Sequence, residues 1–214
     1  MSEDKKIDIT STAVEKGFDL IKDFLGKIIG PPIEEVGLLL ADNIRIFRFR
    51  NQINLLKKAE KIAKEKKIDI KKVSLKILVP LLENASLEEN DDLQDRWANL
   101  LVNYIDSRQN LRSTVFPYIL GQLSSEEANA LDFIREKGIV DYMKLNIYDA
   151  ETSNLVRLGV IRQLTPRAKI KDVKYQGYGE DDYNETVVVY DDNDIRFEIT
   201  ELGSLFVDSC KINK

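Results

Sequence analysis

The sequence predicts a mainly α-helical protein: an N-terminal helical bundle followed by a winged-helix-like α+β module with a small β-hairpin. Three observations lead there. Apolar residues recur at helical spacing through most of the first 122 residues. Gly and Pro are scarce, at 10 and 5 among 214 residues. After Leu123 the pattern changes, and short helices alternate with β-rich runs. We read two domains, 1–122 (with 1–10 a loose tail) and 123–214.

The first expected helix runs from Ser11 or Thr12, both good N-caps, to about Ile29. Its apolar residues Val14, Phe18, Ile21, Leu25 and Ile28 form a coiled-coil-like seam that wants a partner helix and invites self-association. Gly30-Pro31-Pro32 breaks the chain. A long helix follows from Ile33 to about Lys66, with two apolar stripes that predict a central place in the bundle. Further helices are expected over 71–84, kinked at Pro80, over 91–107 around Trp97, and over 115–123.

In the second part, Ser124–Glu127 starts a helix that ends at Gly138, and a compact helix over 150–158 is stopped by Gly159. Val160, Ile161 and Leu164 read as a short strand. Thr186–Tyr190 and Ile195–Ile199 read as strands joined by the turn-forming Asp191–Asp194. Thr200 caps a last helix expected to bury Leu202, Leu205, Phe206 and Cys210. The phrases NLVRLGVI (154–161) and ITELG (199–203) are similar to those of the winged helix-turn-helix superfamily.

Composition excludes several chemistries. The sequence has no histidine, so Ser-His-Asp triads, Cys-His pairs and zinc-peptidase sites are impossible. The single Cys210 makes no internal disulfide and fits a reducing, cytoplasmic setting. The polar start of the chain shows no signal-peptide pattern, and no window approaches the ~20 apolar residues of a membrane span. Asp91-Asp92 and Asp181-Asp182 lack the spaced acidic partner of a magnesium site, and no Gly-rich phosphate loop is present. We therefore expect no enzyme, no metal and no cofactor.

The net charge of -5 hides a separation along the chain. Arg45 to Lys76 is basic, with only Glu60, Glu65 and Asp69 opposing it, and Glu83 to Asp95 is acidic. These stretches either solvate the bundle and meet in salt bridges, or form a basic face for an acidic protein, nucleic acid or lipid headgroup. Arg45, Arg48, Arg50 and Gln52 are the candidate binding residues, since Arg45, Arg48 and Gln52 share a helical face. Arg157, Arg162, Arg167 and Lys169 are the candidates for nucleic acid contact. The wing, however, carries Glu180, Asp181, Asp182, Asp191, Asp192 and Asp194, which oppose phosphates.

GPPIEEVGLLLAD (30–42), RIFRFRNQ (45–52) and DLQDRWANLL (92–101) together resemble the abortive-infection alpha family, long filed as a domain of unknown function. The resemblance extends from about Gly30 to Cys210. It implies a bacterial protein linked to phage defence, in which infected cells arrest or die, and carries over no active-site residues. The expected function is a non-enzymatic defence component acting through contact with a host or phage protein. The alternative is a nucleic-acid-binding winged-helix regulator, and self-association through the 12–29 helix accompanies either.

Overall fold

A computed structural model of the protein describes residues 19, 22–29, 46–175, 183–190 and 194–211. It is mostly helical with small antiparallel sheets, and divides into two compact units. The first comprises residues 1–125 and 206–214, the second residues 126–205.

The first unit holds α1 (Lys22–Ile29), α2 (Ile46–Glu65), α3 (Leu75–Ala85), α4 (Asp91–Ile105) and α5 (Phe116–Leu120). Of the predicted N-terminal seam, Leu25 and Ile28 are described and are fully buried within the chain, together with Phe24. Val14, Phe18 and Ile21 lie outside the described residues, as do Ile33–Arg45 of the long predicted helix. α2 stops where Lys67 takes a left-handed conformation (φ 50°) and the Ile68 N–H reaches back to the Ala63 carbonyl at 2.9 Å.

Among the described helices α4 is the most enclosed, while Val36, Leu39, Leu40 and Ile44, on which the central place of the long helix was expected to rest, lie outside the described residues. Leu100, Leu101, Val102, Asn103, Tyr104 and Ile105 are all buried in succession, so the C-terminal part of α4 is covered on every side. The described part of α2 buries a single face: Phe49, Gln52, Leu55, Leu56, Ala59 and Ala63. α4 starts at Asn90, whose side chain accepts the N–H groups of Asp92 (3.0 Å) and Leu93 (3.1 Å). α3 is capped by Ser74 and continues through Pro80.

Asn99 and Asn103, one turn apart on α4, donate to backbone carbonyls of residues 209–211. Asn99 Nδ2 reaches Cys210 O at 3.1 Å, and Asn103 Nδ2 reaches Ser209 O and Lys211 O at 2.7 and 2.8 Å. These are carbonyls that a helix end leaves without internal partners. Phe206, Val207 and Cys210 are buried in the same unit.

The second unit holds α6 (Ser125–Lys137), β1 (Ile139–Asp141), a 3-10 turn (Tyr142–Lys144), α7 (Asp149–Arg157), β2 (Ile161–Gln163), β3 (Ala168–Tyr175), β4 (Tyr183–Tyr190) and β5 (Arg196–Ile199). The start of α8 (Glu201–Ser209) also belongs to it. β1, β5 and β2 form an antiparallel sheet in that order. The predicted pairing of Thr186–Tyr190 with Ile195–Ile199 is not found. β4 pairs instead with β3, from Ala168↔Tyr190 to Tyr175↔Tyr183. The alternating stretch after Arg167 is thus a strand, and it takes the partner that the Asp191–Asp194 turn was expected to supply.

Two glycines explain the recurrent phrases. Gly159 adopts φ 71° after α7, and the Val160 N–H returns to the Leu155 carbonyl at 3.2 Å, a left-handed helix end that suits glycine. Gly203 lies so close to β2 that a β-carbon there would stand 2.0 Å from the Val160 oxygen. That oxygen already accepts the Thr200 N–H at 3.0 Å. Thr200 also caps α8, its hydroxyl accepting the Gly203 N–H at 3.0 Å. Contrary to expectation, Leu202 and Leu205 are exposed, because the buried face of α8 runs through Gly203, Phe206, Val207 and Cys210.

Candidate basic faces

Arg45 lies outside the described residues. Arg48 and Gln52 share a face of α2, as their spacing predicts, and that face meets the C-terminal end of α3. Arg48 Nε donates to Ser86 Oγ at 2.9 Å, and Gln52 Nε2 to the Leu82 carbonyl at 3.1 Å. Asn51 Nδ2 reaches the carbonyls of Ser86 and Glu88, each at 3.1 Å. Gln52 is 1% exposed and Ser86 fully buried, so these side chains latch one helix to the end of another. Gln52 Oε1 and Trp97 Nε1 are buried without a hydrogen-bond partner among the described residues.

Arg50 is exposed and sits on the outer face of α2 with Lys57, Lys61 and Lys64. The charge there is partly met along the helix, by Lys61–Glu65 at 3.9 Å and Lys64–Glu60 at 2.8 Å. The basic and acidic segments also touch, since Lys58 pairs with Asp95 at 2.7 Å and approaches Asp91 at 3.9 Å. Such exposed pairs contribute little to stability.

A separate cleft of about 400 Å³ opens in the first unit. Lys71, Lys72 and Lys76 line one wall, Leu111, Arg112 and Thr114 the other, and the buried Tyr104 also borders it. Sequence reasoning placed the three lysines in the basic stretch but missed Arg112. Nothing along the chain links residues some forty positions apart. Tyr104 donates its hydroxyl to the Ser113 carbonyl, and its pKa is pushed well above the ordinary phenol range, first by burial.

In the second unit the candidate nucleic acid contacts come out engaged. Arg157 donates to Asn154 Oδ1 (2.6 Å from Nη2), and Asn154 donates to the buried Glu127 at 2.7 Å. Arg162 stands opposite Glu198 in the β2–β5 register and pairs with it at 2.5 Å. Arg167 holds Asp194 at 3.0 Å through Nη2, and Arg196 Nε lies 2.9 Å from the same carboxylate. Side-chain hydrogen bonds from Arg167 come first among the causes that hold the Asp194 pKa far below the usual carboxylate range. Lys169 is exposed on β3. Of the wing carboxylates only Asp194 is described, and Glu180, Asp181, Asp182, Asp191 and Asp192 lie outside the described residues.

Among the described residues no group of three or more acidic or thiol side chains could hold a metal, and no helix is long and apolar enough to cross a membrane. Residues 50–152 match the family model for abortive infection alpha. The match includes DLQDRWANLL and leaves GPPIEEVGLLLAD outside it. No curated protein and no solved structure matches the chain.

Proposed function

We propose that this chain, whose residues 50–152 carry an abortive infection alpha domain, is a non-enzymatic component of bacterial phage defence that works through protein contacts. The domain supports the defence role. The contact role rests on one observation, the apolar face of the β3–β4 hairpin. Ile170, Val188 and Tyr190 are 74%, 59% and 58% exposed. Ile170 stands opposite Val188, and Ala168 opposite Tyr190, so the register puts all four on one face. Contiguous exposed apolar side chains mark a site of contact. A chain without histidine suits a role without catalysis, and a single buried cysteine suits the cytoplasm.

The sheet order β1-β5-β2, following α6 and α7, favours a winged-helix-like module in which β3–β4 is an extended wing. That observation keeps a nucleic-acid-binding regulator as the second reading, with α7 as the recognition helix. Against it, Arg162 and Arg167 already hold carboxylates, and a phosphate would have to displace them or share the cation.

Ile170→Asp with Val188→Asp in the full chain separates the readings. We expect phage protection in a plaque assay to fall by about tenfold or more, with the melting temperature within a few degrees of wild type, because the exposed side chains support no core. Protection retained in the folded double variant overturns the contact role of this face. If fluorescence anisotropy instead detects duplex binding that weakens steeply between about 50 and 200 mM salt, the regulator takes its place.

A further inference from the structure

We propose that the cleft between residues 71–77 and 111–114 binds a small phosphate-bearing molecule. Its described lining includes four cations, Lys71, Lys72, Lys76 and Arg112, and no carboxylate. Lys72, Lys76 and Arg112 are exposed, and none has an ion-pair partner among the described residues. Lys58, Lys61 and Lys64 of α2, by contrast, face acids at 2.7, 3.9 and 2.8 Å. Lys71 donates to the Gln109 carbonyl and lies near the Asp106 carboxylate, yet an ammonium carries three donors. Four like charges converging on one concavity repel one another, and an anion that bridges them relieves the repulsion.

The walls are fixed without a ligand. The Lys71 N–H donates to the Ile105 carbonyl at 2.7 Å, the Ser107 N–H to the Asp69 carbonyl at 2.8 Å, and the Val73 N–H to the Ile28 carbonyl at 2.8 Å. The opposite wall is tied down through the Tyr104 hydroxyl on Ser113 and the Lys71 ammonium on Gln109. Such pre-organisation removes part of the ordering cost of binding. The floor is less polar than the rim: Val73, Ile77 and Tyr104 are buried and Leu111 is half-buried. A volume of about 400 Å³ falls in the range of small-ligand sites. Cations at the rim and an apolar floor suit a nucleotide, whose phosphates meet the rim and whose base lies on the floor.

The test is calorimetric titration of the full chain with ATP and, separately, with inorganic pyrophosphate, at about 50 mM salt to limit screening. We expect both to bind, and Lys72→Ala/Lys76→Ala/Arg112→Ala to weaken each by at least about tenfold. Arg50→Ala/Lys57→Ala, on the outer face of α2, should change affinity by less than about twofold. Arg112→Ala alone should reproduce part of the loss, and circular dichroism reports whether each variant is folded. ATP binding more tightly than pyrophosphate identifies a nucleotide, and equal affinity a site for the phosphate group alone; both sustain the proposal. Absence of binding overturns it. So does an equal loss from the α2 pair, which marks diffuse attraction, and so does tighter binding of a single-stranded oligonucleotide that depends on both sets. The proposal stands apart from the hairpin contact, because the plaque assay and the titration read different surfaces.

Discussion

In the first unit Gln52, Asn99 and Asn103 bind backbone carbonyls through neutral amides, whereas in the second Arg162, Arg167 and Arg196 bind carboxylates. The two strategies have different consequences for the surface. An amide satisfies a helix end without consuming charge, and Lys72, Lys76 and Arg112 around the cleft of the first unit have no ion-pair partner among the described residues. Each ion pair in the second unit commits a cation that the sequence alone offers to phosphate. Arg162 and Arg167 in the second unit and Lys72 and Arg112 in the first are alike as exposed cations, and what separates them is the partner that the fold supplies.

The largest effect is expected where the second unit relies on close backbone approach rather than on charge. Gly203→Ala would put a methyl group 2.0 Å from the Val160 oxygen and 2.8 Å from Ile199 Cγ1, so the start of α8 must shift. We expect a loss of about 3 kcal/mol, at the upper end of the usual cost of overpacking, measured by chemical denaturation. A variant as stable as wild type would mean that the approach relaxes freely, and that ion pairs carry more of this unit than its packing does.

A smaller loss is expected in the first unit from Asn103→Ala. The residue is 8% exposed, and its removal leaves the Ser209 and Lys211 carbonyls without the amide that now serves them. Orphaned buried acceptors cost about 1–3 kcal/mol, and we expect about 2. Asn99→Ala, which gives up one bond from a half-buried site, should cost less. If Asn103→Ala denatures at the wild-type midpoint, water satisfies those carbonyls and the amides do not hold residues 209–211.

The same contrast shows what could be read from the sequence. Helical periodicity and caps such as Thr200 are local, so α3, α4, α6, α7 and α8 fall within a few residues of their predicted spans. Gly159 was legible as the glycine that ends a helix, whereas the reason for Gly203, a close contact with the Val160 backbone, appears only in the structure. Strand pairing is not local. Thr186–Tyr190 had a plausible neighbour across Asp191–Asp194, and the longer β3 outcompeted it through a full set of cross-strand pairs. The Arg48–Gln52 face was legible as a stripe but not its destination, because the carbonyls at the end of α3 carry no sequence signature. Arg112 joins Lys72 only in space.

The smallest effect is one of shape, and it appears at acid pH. Asp194 has an ordinary carboxyl pKa of 3.8 in the unfolded chain, and in the fold the Arg167 and Arg196 side chains hold it well below that. Above about pH 5 the carboxylate is charged in both states, and its contribution to stability is fully present. As pH falls through 3.8, the unfolded chain takes up a proton that the folded chain resists, and the contribution shrinks. Asp194→Asn keeps an oxygen that can accept the Arg167 N–H, now 2.6 Å from Asp194 Oδ2, but removes the titration. Its melting temperature should therefore lie below wild type at neutral pH, and the gap should close as the buffer is taken below about pH 4. A gap that stays constant under acid would show that Asp194 works as a neutral hydrogen-bond acceptor, and that the second unit holds its polar groups much as the first does.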